Sequence, residues 1–217
     1  MKQMEVPCIP GLGKMTDEEV IVALEERGAK FAVDHVCWPG EYPYKPLCAG
    51  TIAHTGDSIA ILFHVRGLDL RSVNLSDNGR QWEDSTCEFF VADPHDGTYY
   101  NFETNCVATT LGAKGVGRNN RLVRADSDIA SIHRWSSLPR VAREENGQVA
   151  EWTIFEIIPF RLIGIPEGEL PVKLLGNFYK CADLTAHPHY LSWSPVGCPN
   201  PDFHRPEYFG ELILGRV

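Results

Sequence analysis

Residues 87–106 read Cys87-Glu88-Phe89-Phe90-Val91-Ala92-Asp93-Pro94-His95-Asp96-Gly97-Thr98-Tyr99-Tyr100-Asn101-Phe102-Glu103-Thr104-Asn105-Cys106. Two runs rich in aromatic residues flank an Asp-Pro-His-Asp-Gly turn, a pattern that predicts two strands joined by a tight connection. Side chains alternate across a strand. In Cys87–Ala92, Glu88 and Phe90 share one face, while Cys87, Phe89 and Val91 share the other. In Tyr99–Cys106, Tyr99, Asn101, Glu103 and Asn105 share a face. Asn, Glu and Asn at spacing two make a continuous polar stripe, and Glu88 joins it if the two strands pair. Such a stripe is either the solvated side of a sheet or a surface able to bond a polyhydroxylated ligand.

The same pattern extends outward. Gly50–His54 and Ile59–Val65 read as strands around a Thr55-Gly56-Asp57-Ser58 turn, and Phe31–Val36 precedes them. Val141–Arg143 and Val149–Ile157 flank Glu144-Glu145-Asn146-Gly147, and Asn-Gly between apolar runs predicts a hairpin. Leu174–Cys181, His189–Trp193 and Phe209–Leu214 are the last strand candidates. Trp38–Pro46 is proline-rich and Gly112–Asn120 is glycine-rich and polar, so both read as loops. Thr16 followed by Glu19 forms a capping box ahead of a short apolar stripe, and Gly28 stops it. The expectation is an N-terminal extension over 1–30 with one short helix, then one domain over 31–217. About nine strands with turn signals between them, and no βαβ alternation, predict an all-β antiparallel sandwich.

The 217 residues suffice for a sizeable core without staples. The formal charge of −9 argues against nucleic acid, which needs a basic patch. The seven cysteines are odd in number and form no C-x-x-C pair, which disfavours a zinc or redox motif and suits a reducing compartment. No apolar run is long enough for a signal peptide or a membrane helix. The expected location is therefore cytoplasmic, or outside the cytoplasm if the N-terminus is trimmed.

Trp82 follows the loop Asn78-Gly79-Arg80-Gln81, where an aromatic side chain is well placed for binding. Trp193, inside a strand candidate, fits either a wall of a site or the core, and Trp152 fits the core. His187, His189 and His204 read as structural rather than metal-binding. Aspartates 57, 69, 77, 84, 93, 96, 126 and 128 stand in turns, where that residue is common. The Asp126-x-Asp128 pair could ligate calcium but lacks EF-hand spacing. No G-x-S-x-G, P-loop or nucleotide fingerprint is present.

Two segments carry a family signature. One is Trp82-Glu83-Asp84-Ser85-Thr86-Cys87-Glu88-Phe89-Phe90, continuing to Tyr100-Asn101-Phe102-Glu103-Thr104-Asn105. The other is Tyr190-Leu191-Ser192-Trp193-Ser194-Pro195, continuing to Phe203-His204-Arg205-Pro206-Glu207-Tyr208-Phe209-Gly210. Together they resemble the family 9 carbohydrate-binding modules of the DOMON-like β-sandwiches, from about Phe31 onward. The resemblance implies non-catalytic binding of a sugar or polysaccharide end, of a kind associated with glycoside hydrolysis, and a structural calcium ion. It implies Trp82 and Trp193 as stacking rings, Glu88 as a hydroxyl acceptor, and Asn101, Glu103 and Asn105 as further polar partners. Glu103 and Asn105 depart from the arginine or glutamine that sugar-binding members carry in part of that strand. Two rival readings are a glycoside-processing enzyme using Glu88 with Glu103, and a DOMON-like interaction or haem-binding module.

Overall fold

The computed structural model describes residues 2–68 and 70–216; Asp69, one of the turn aspartates, lies outside them. In chain order the strands are β1 (Gln3–Val6), β2 (Ala29–Ala32), β3 (His35–Val36), β4 (Leu47–His54), β5 (Ser58–Gly67), β6 (Thr86–Ala92) and β7 (Tyr99–Asn105). They continue with β8 (Thr110–Gly115), β9 (Leu122–Val123), β10 (His133–Ser136), β11 (Ala150–Pro159), β12 (Lys173–Cys181), β13 (Tyr190–Ser192) and β14 (Gly210–Leu214). Helices α1 (Asp17–Arg27) and α2 (Asp126–Ala130) lie between them.

The strands make two sheets, as the all-β sandwich expectation required. The larger runs β1-β14-β12-β6-β7-β8-β9, with β13 and β3 joined beside β12, and the smaller runs β10-β11-β5-β4-β2. The long pairings are antiparallel, whereas β1 lies parallel to β14. The inner faces meet through an aromatic stack. Phe31 of β2 lies 4.1 Å from Phe178 of β12, and Phe178 lies 5.3 Å from Phe89 of β6. Burying each such ring contributes roughly 1.5–3 kcal/mol.

The capping box forms: the Glu19 amide donates to Thr16 Oγ1 at 3.3 Å and the Thr16 amide to Glu19 Oε2 at 2.9 Å. Val20, Ala23 and Leu24 of α1 then pack on Ala53, Ala60 and Leu62, covering the outer face of the smaller sheet. Among the described residues no helix is long and apolar enough to cross a membrane.

Two local expectations fail. Thr110–Gly115 is a strand, not part of a loop. Its glycines serve close packing: a Cβ on Gly112 would lie 2.5 Å from Ile129 of α2. The predicted hairpin arm Val141–Arg143 does not pair with β11. Arg143 instead exchanges backbone bonds of 2.9 Å with Ser72, while β11 is flanked by β5 and β10. The Asn-Gly turn is locally sound, with Gly147 at φ 68, but its short arm is claimed by an isolated bridge to Ser72, far away in the sequence.

A buried carboxyl sits in this core. Thr104 donates to Glu156 Oε2 at 2.8 Å, and burial pushes the Glu156 carboxyl up to about 7 against that bond and the charge of Arg134. A carboxyl raised above its unfolded value of about 4.3 stabilises fully below that value, and the contribution is lost as pH rises towards 7. Glu156→Gln is therefore expected to gain stability relative to wild type, on the order of 2 kcal/mol, between pH 5 and pH 7.5. Urea unfolding at both pH values measures it; a pH-independent difference contradicts it.

Candidate functional site

Alternation along β6 and β7 sends Cys87, Phe89, Val91, Tyr100 and Phe102 into the core between the sheets. Glu88, Phe90, Tyr99, Asn101 and Glu103 therefore face outward. The two strands do pair, with Glu88 directly opposite Glu103 and Phe90 opposite Asn101. On the other side of β6, Tyr179 stands opposite Glu88, which brings Cys181 to the same face. This face is not solvated: Glu88, Asn101 and Glu103 are 3%, 1% and 4% exposed.

The roof consists of the Gln81–Glu83 turn that carries Trp82, the loop 116–121, and the segments 182–190 and 196–204. Between roof and sheet lies a cavity of about 340 Å³, lined by Trp82, Glu88, Asn101, Glu103, Arg121, Asp183, Tyr190 and Phe203 among others. That is within the range of small-molecule sites. Trp82 is anchored by its own backbone, because its carbonyl accepts the Asp183 amide at 3.0 Å. A second aromatic surface is built on Tyr190 and Phe203. Tyr42 and Trp38 pack edge-on against Tyr190 at 4.8 and 5.8 Å, and Phe203 stacks on Tyr179 at 4.1 Å.

On the floor, Arg121 Nε donates to Asn101 Oδ1 at 2.9 Å, and Asn101 Nδ2 donates to Glu103 Oε1 at 2.8 Å. The Cys181 thiol donates to Glu88 Oε1 at 3.1 Å. Glu103 Oε2 is buried without a hydrogen-bond partner. Burial and the charge of Glu103 hold the Glu88 carboxyl well above the usual range. Burial pushes Glu103 up to about 7, opposed by its bond from Asn101 and the Arg121 charge. Asp183 is pushed to about 6, again by burial, opposed first by its bond with Tyr190. Two buried carboxyls at directly opposed strand positions do not both ionise readily.

Four of the six residues suggested by the sequence meet here: Trp82, Glu88, Asn101 and Glu103. Trp193 does not. It is 4% exposed and belongs to the core between the sheets, edge-on to Phe178 at 5.6 Å. The reason is parity. On β13, Tyr190 faces Cys181 and Ser192 faces Tyr179, whereas Trp193, one residue on, follows Leu191 inward. Asn105 also leaves the site. It is fully buried; its Nδ2 donates to the Asn74 carbonyl at 2.8 Å and to Asp84 at 3.0 Å, and its Oδ1 accepts from the Val107 and Thr109 amides. Its polarity serves the turn after β7.

The residues not anticipated are Arg121, Asp183, Tyr190 and Phe203. Period-two counting back from Ser192 would have singled out Tyr190; the others come from connections that carry no periodic signal. Among the described residues, no group of three or more His, Cys, Asp or Glu is arranged to hold a metal ion. Asp128 is engaged by Arg124 and Arg161, and Asp126 by Asn78. His204 Nδ1 bonds the Tyr99 hydroxyl at 2.9 Å, and burial followed by the Arg121 charge drives its ring down to about 3, hence neutral.

Residues 18–214 match the model of carbohydrate-binding family 9. A candidate carbohydrate-binding protein from Bacteroides uniformis ATCC 8492 is 36% identical, with a TM-score of 0.92 over 99% of both chains. A family 9 carbohydrate-binding module from Caldicellulosiruptor kristjanssonii, solved in complex with glucose, is 12% identical, with a TM-score of 0.60 over 100% of this chain and 97% of that one. The same organism's module in complex with cellotriose is 13% identical, with a TM-score of 0.60 over 100% and 95%. No curated protein matches the sequence.

Proposed function

The chain belongs to carbohydrate-binding family 9, and on that premise we propose that it binds a sugar, without transforming it, in the cavity between Trp82 and Glu103. The observation that carries the reading is the enclosure of aromatic rings and polar side chains in one cavity. The C–H faces of a pyranose pack on rings such as Trp82 and Tyr190, while hydroxyls bond Glu88, Glu103 and Asp183. Apolar walls with a few placed polar groups are the general anatomy of such sites. Glu88 and Glu103 rise side by side from one floor. A glycosidase needs carboxyls flanking the scissile bond, so this pair suits binding and not hydrolysis.

Glucose and cellotriose, held by the Caldicellulosiruptor modules, are the first probes. Calorimetric titration is expected to show at least tenfold weaker binding in Trp82→Ala, because a central aromatic anchor typically contributes about 2 kcal/mol or more. Far-UV circular dichroism and Tm should stay near wild type, since the backbone carbonyl of Trp82 is retained. Equal affinity in the variant removes Trp82 from the site. No turnover is expected on a panel of aryl-glycosides.

A further inference from the structure

Hydrogen-bond accounting inside the cavity leaves an imbalance. All three nitrogens of Arg121 donate to protein oxygens: Nε to Asn101, Nη1 to the Gly117 carbonyl at 2.9 Å, and Nη2 to the Tyr99 carbonyl at 3.0 Å. Arg118 donates to the Pro201 carbonyl at 3.1 Å. Both amide atoms of Asn101 are engaged as well, one by Arg121 and one by Glu103. The unmet valence is an acceptor. Glu103 is 4% exposed and lines the cavity, yet its Oε2 has no partner, and Glu88 stands directly across the ladder from it. A buried acceptor without a donor is destabilising, and more so when charged.

We propose that this cavity selects sugars carrying a free amine, whose ammonium would lie between Glu88 and Glu103 and donate to the orphaned Oε2. The proposal rests on the carbohydrate reading above and specifies the ligand class of the same site. A hydroxyl can donate one hydrogen to one carboxylate. An ammonium donates three and carries the charge that lets both carboxyls ionise together. In the free protein burial favours the protonated form of each carboxyl instead.

The groups around the pair set the pH at which the exchange occurs. Arg118 and Arg121 from the loop 116–121, and Lys180 from beneath the sheet, favour the ionised carboxyls. Asp183 opposes them. Cys181 and Tyr179 of β12, and Tyr190 of β13, are held protonated by burial. His204 is neutral and Asp202 accepts the His204 amide, while β8 presents only Leu111 and Ala113. With Glu103 near 7 and a sugar amine losing its proton near the α-amino value of about 8, preference for the amine should peak between those values.

The test titrates the full chain by calorimetry with cellotriose and with its fully 2-amino counterpart, the deacetylated chitosan trimer. At pH 7.5 and low ionic strength the amino trimer is expected to bind at least about tenfold more tightly. The ratio should shrink towards one at about pH 5.5, where the pair keeps its proton. Glu103→Gln retains the acceptor for Asn101 and should cut the ratio at pH 7.5 to within about threefold. If that variant does not fold, Glu88→Gln and the wild-type pH profile decide. Cellotriose binding with no amine preference at any pH overturns this inference and leaves the carbohydrate reading standing. Failure of both trimers to bind overturns the cavity reading, and the inference with it.

Discussion

Trp193→Ala is expected to lower the unfolding free energy by about 3–5 kcal/mol while leaving ligand affinity of the folded protein unchanged. The indole is enclosed between the sheets, edge-on to Phe178. Gly210 is shaped to it, since a Cβ there would lie 2.4 Å from the ring. Truncation removes that buried surface and leaves a cavity that neighbouring strands cannot fill. For a chain of this size the loss corresponds to a fall in Tm of roughly 6–20 °C. Thermal unfolding and calorimetric titration, the latter well below the new Tm, measure the two effects separately. Trp193→Phe keeps most of the volume and serves if the alanine variant does not accumulate. Affinity lost with stability retained would restore Trp193 to the binding wall.

The second large effect belongs to Asp84. Its side chain is fully buried and accepts the Val73 amide at 3.0 Å, the Asn74 amide at 2.9 Å and Asn105 Nδ2 at 3.0 Å. Its own amide donates to the Gln81 carbonyl, closing the turn that carries Trp82. Asp84→Ala strands these donors and is expected to cost about 3–5 kcal/mol, the scale of breaking a buried charged network. Asp84→Asn retains one acceptor oxygen and should cost about half as much. The backbone amide that closes the Trp82 turn is retained in both variants, so sugar affinity of the folded protein should change by less than about threefold. Equilibrium unfolding in urea, alongside titration, gives both numbers; a loss below about 1 kcal/mol in Asp84→Ala removes Asp84 as the organiser of this corner.

The pairing of β6 with β7, and the face that bears Glu88, Asn101 and Glu103, were legible because period-two alternation is a local property of the chain. The same alternation located the core side of Phe89 and Phe102. It left Trp193 open, and the stacking role came from the family resemblance, because the start of β13 was not legible to the residue and a one-residue slip moves every side chain to the other face. Asn105 was misread for a different reason. A polar residue at the end of a strand looks the same in sequence whether it meets a ligand or caps a turn, and only the position of Asp84, some twenty residues away, distinguishes them. Arg121, Asp183 and Phe203 enter the cavity from irregular connections, whose course depends on long-range packing. The burial of the polar stripe was likewise invisible, because its cover is assembled from four separate segments.

The strand Gln3–Val6 lies beside Gly210–Leu214 in parallel register, pairing Gln3 with Glu211 and Val6 with Leu214. It precedes the stretch that matches the family, residues 18–214. Val6, Ile9 and Leu12 from the same early segment are fully buried. A protein trimmed to the family boundaries would therefore lose part of its interior and bare the outer edge of β14, a row of unpaired amides and carbonyls able to recruit a strand from another molecule. For anyone producing this module by recombinant means, the first dozen residues decide whether the material stays dispersed.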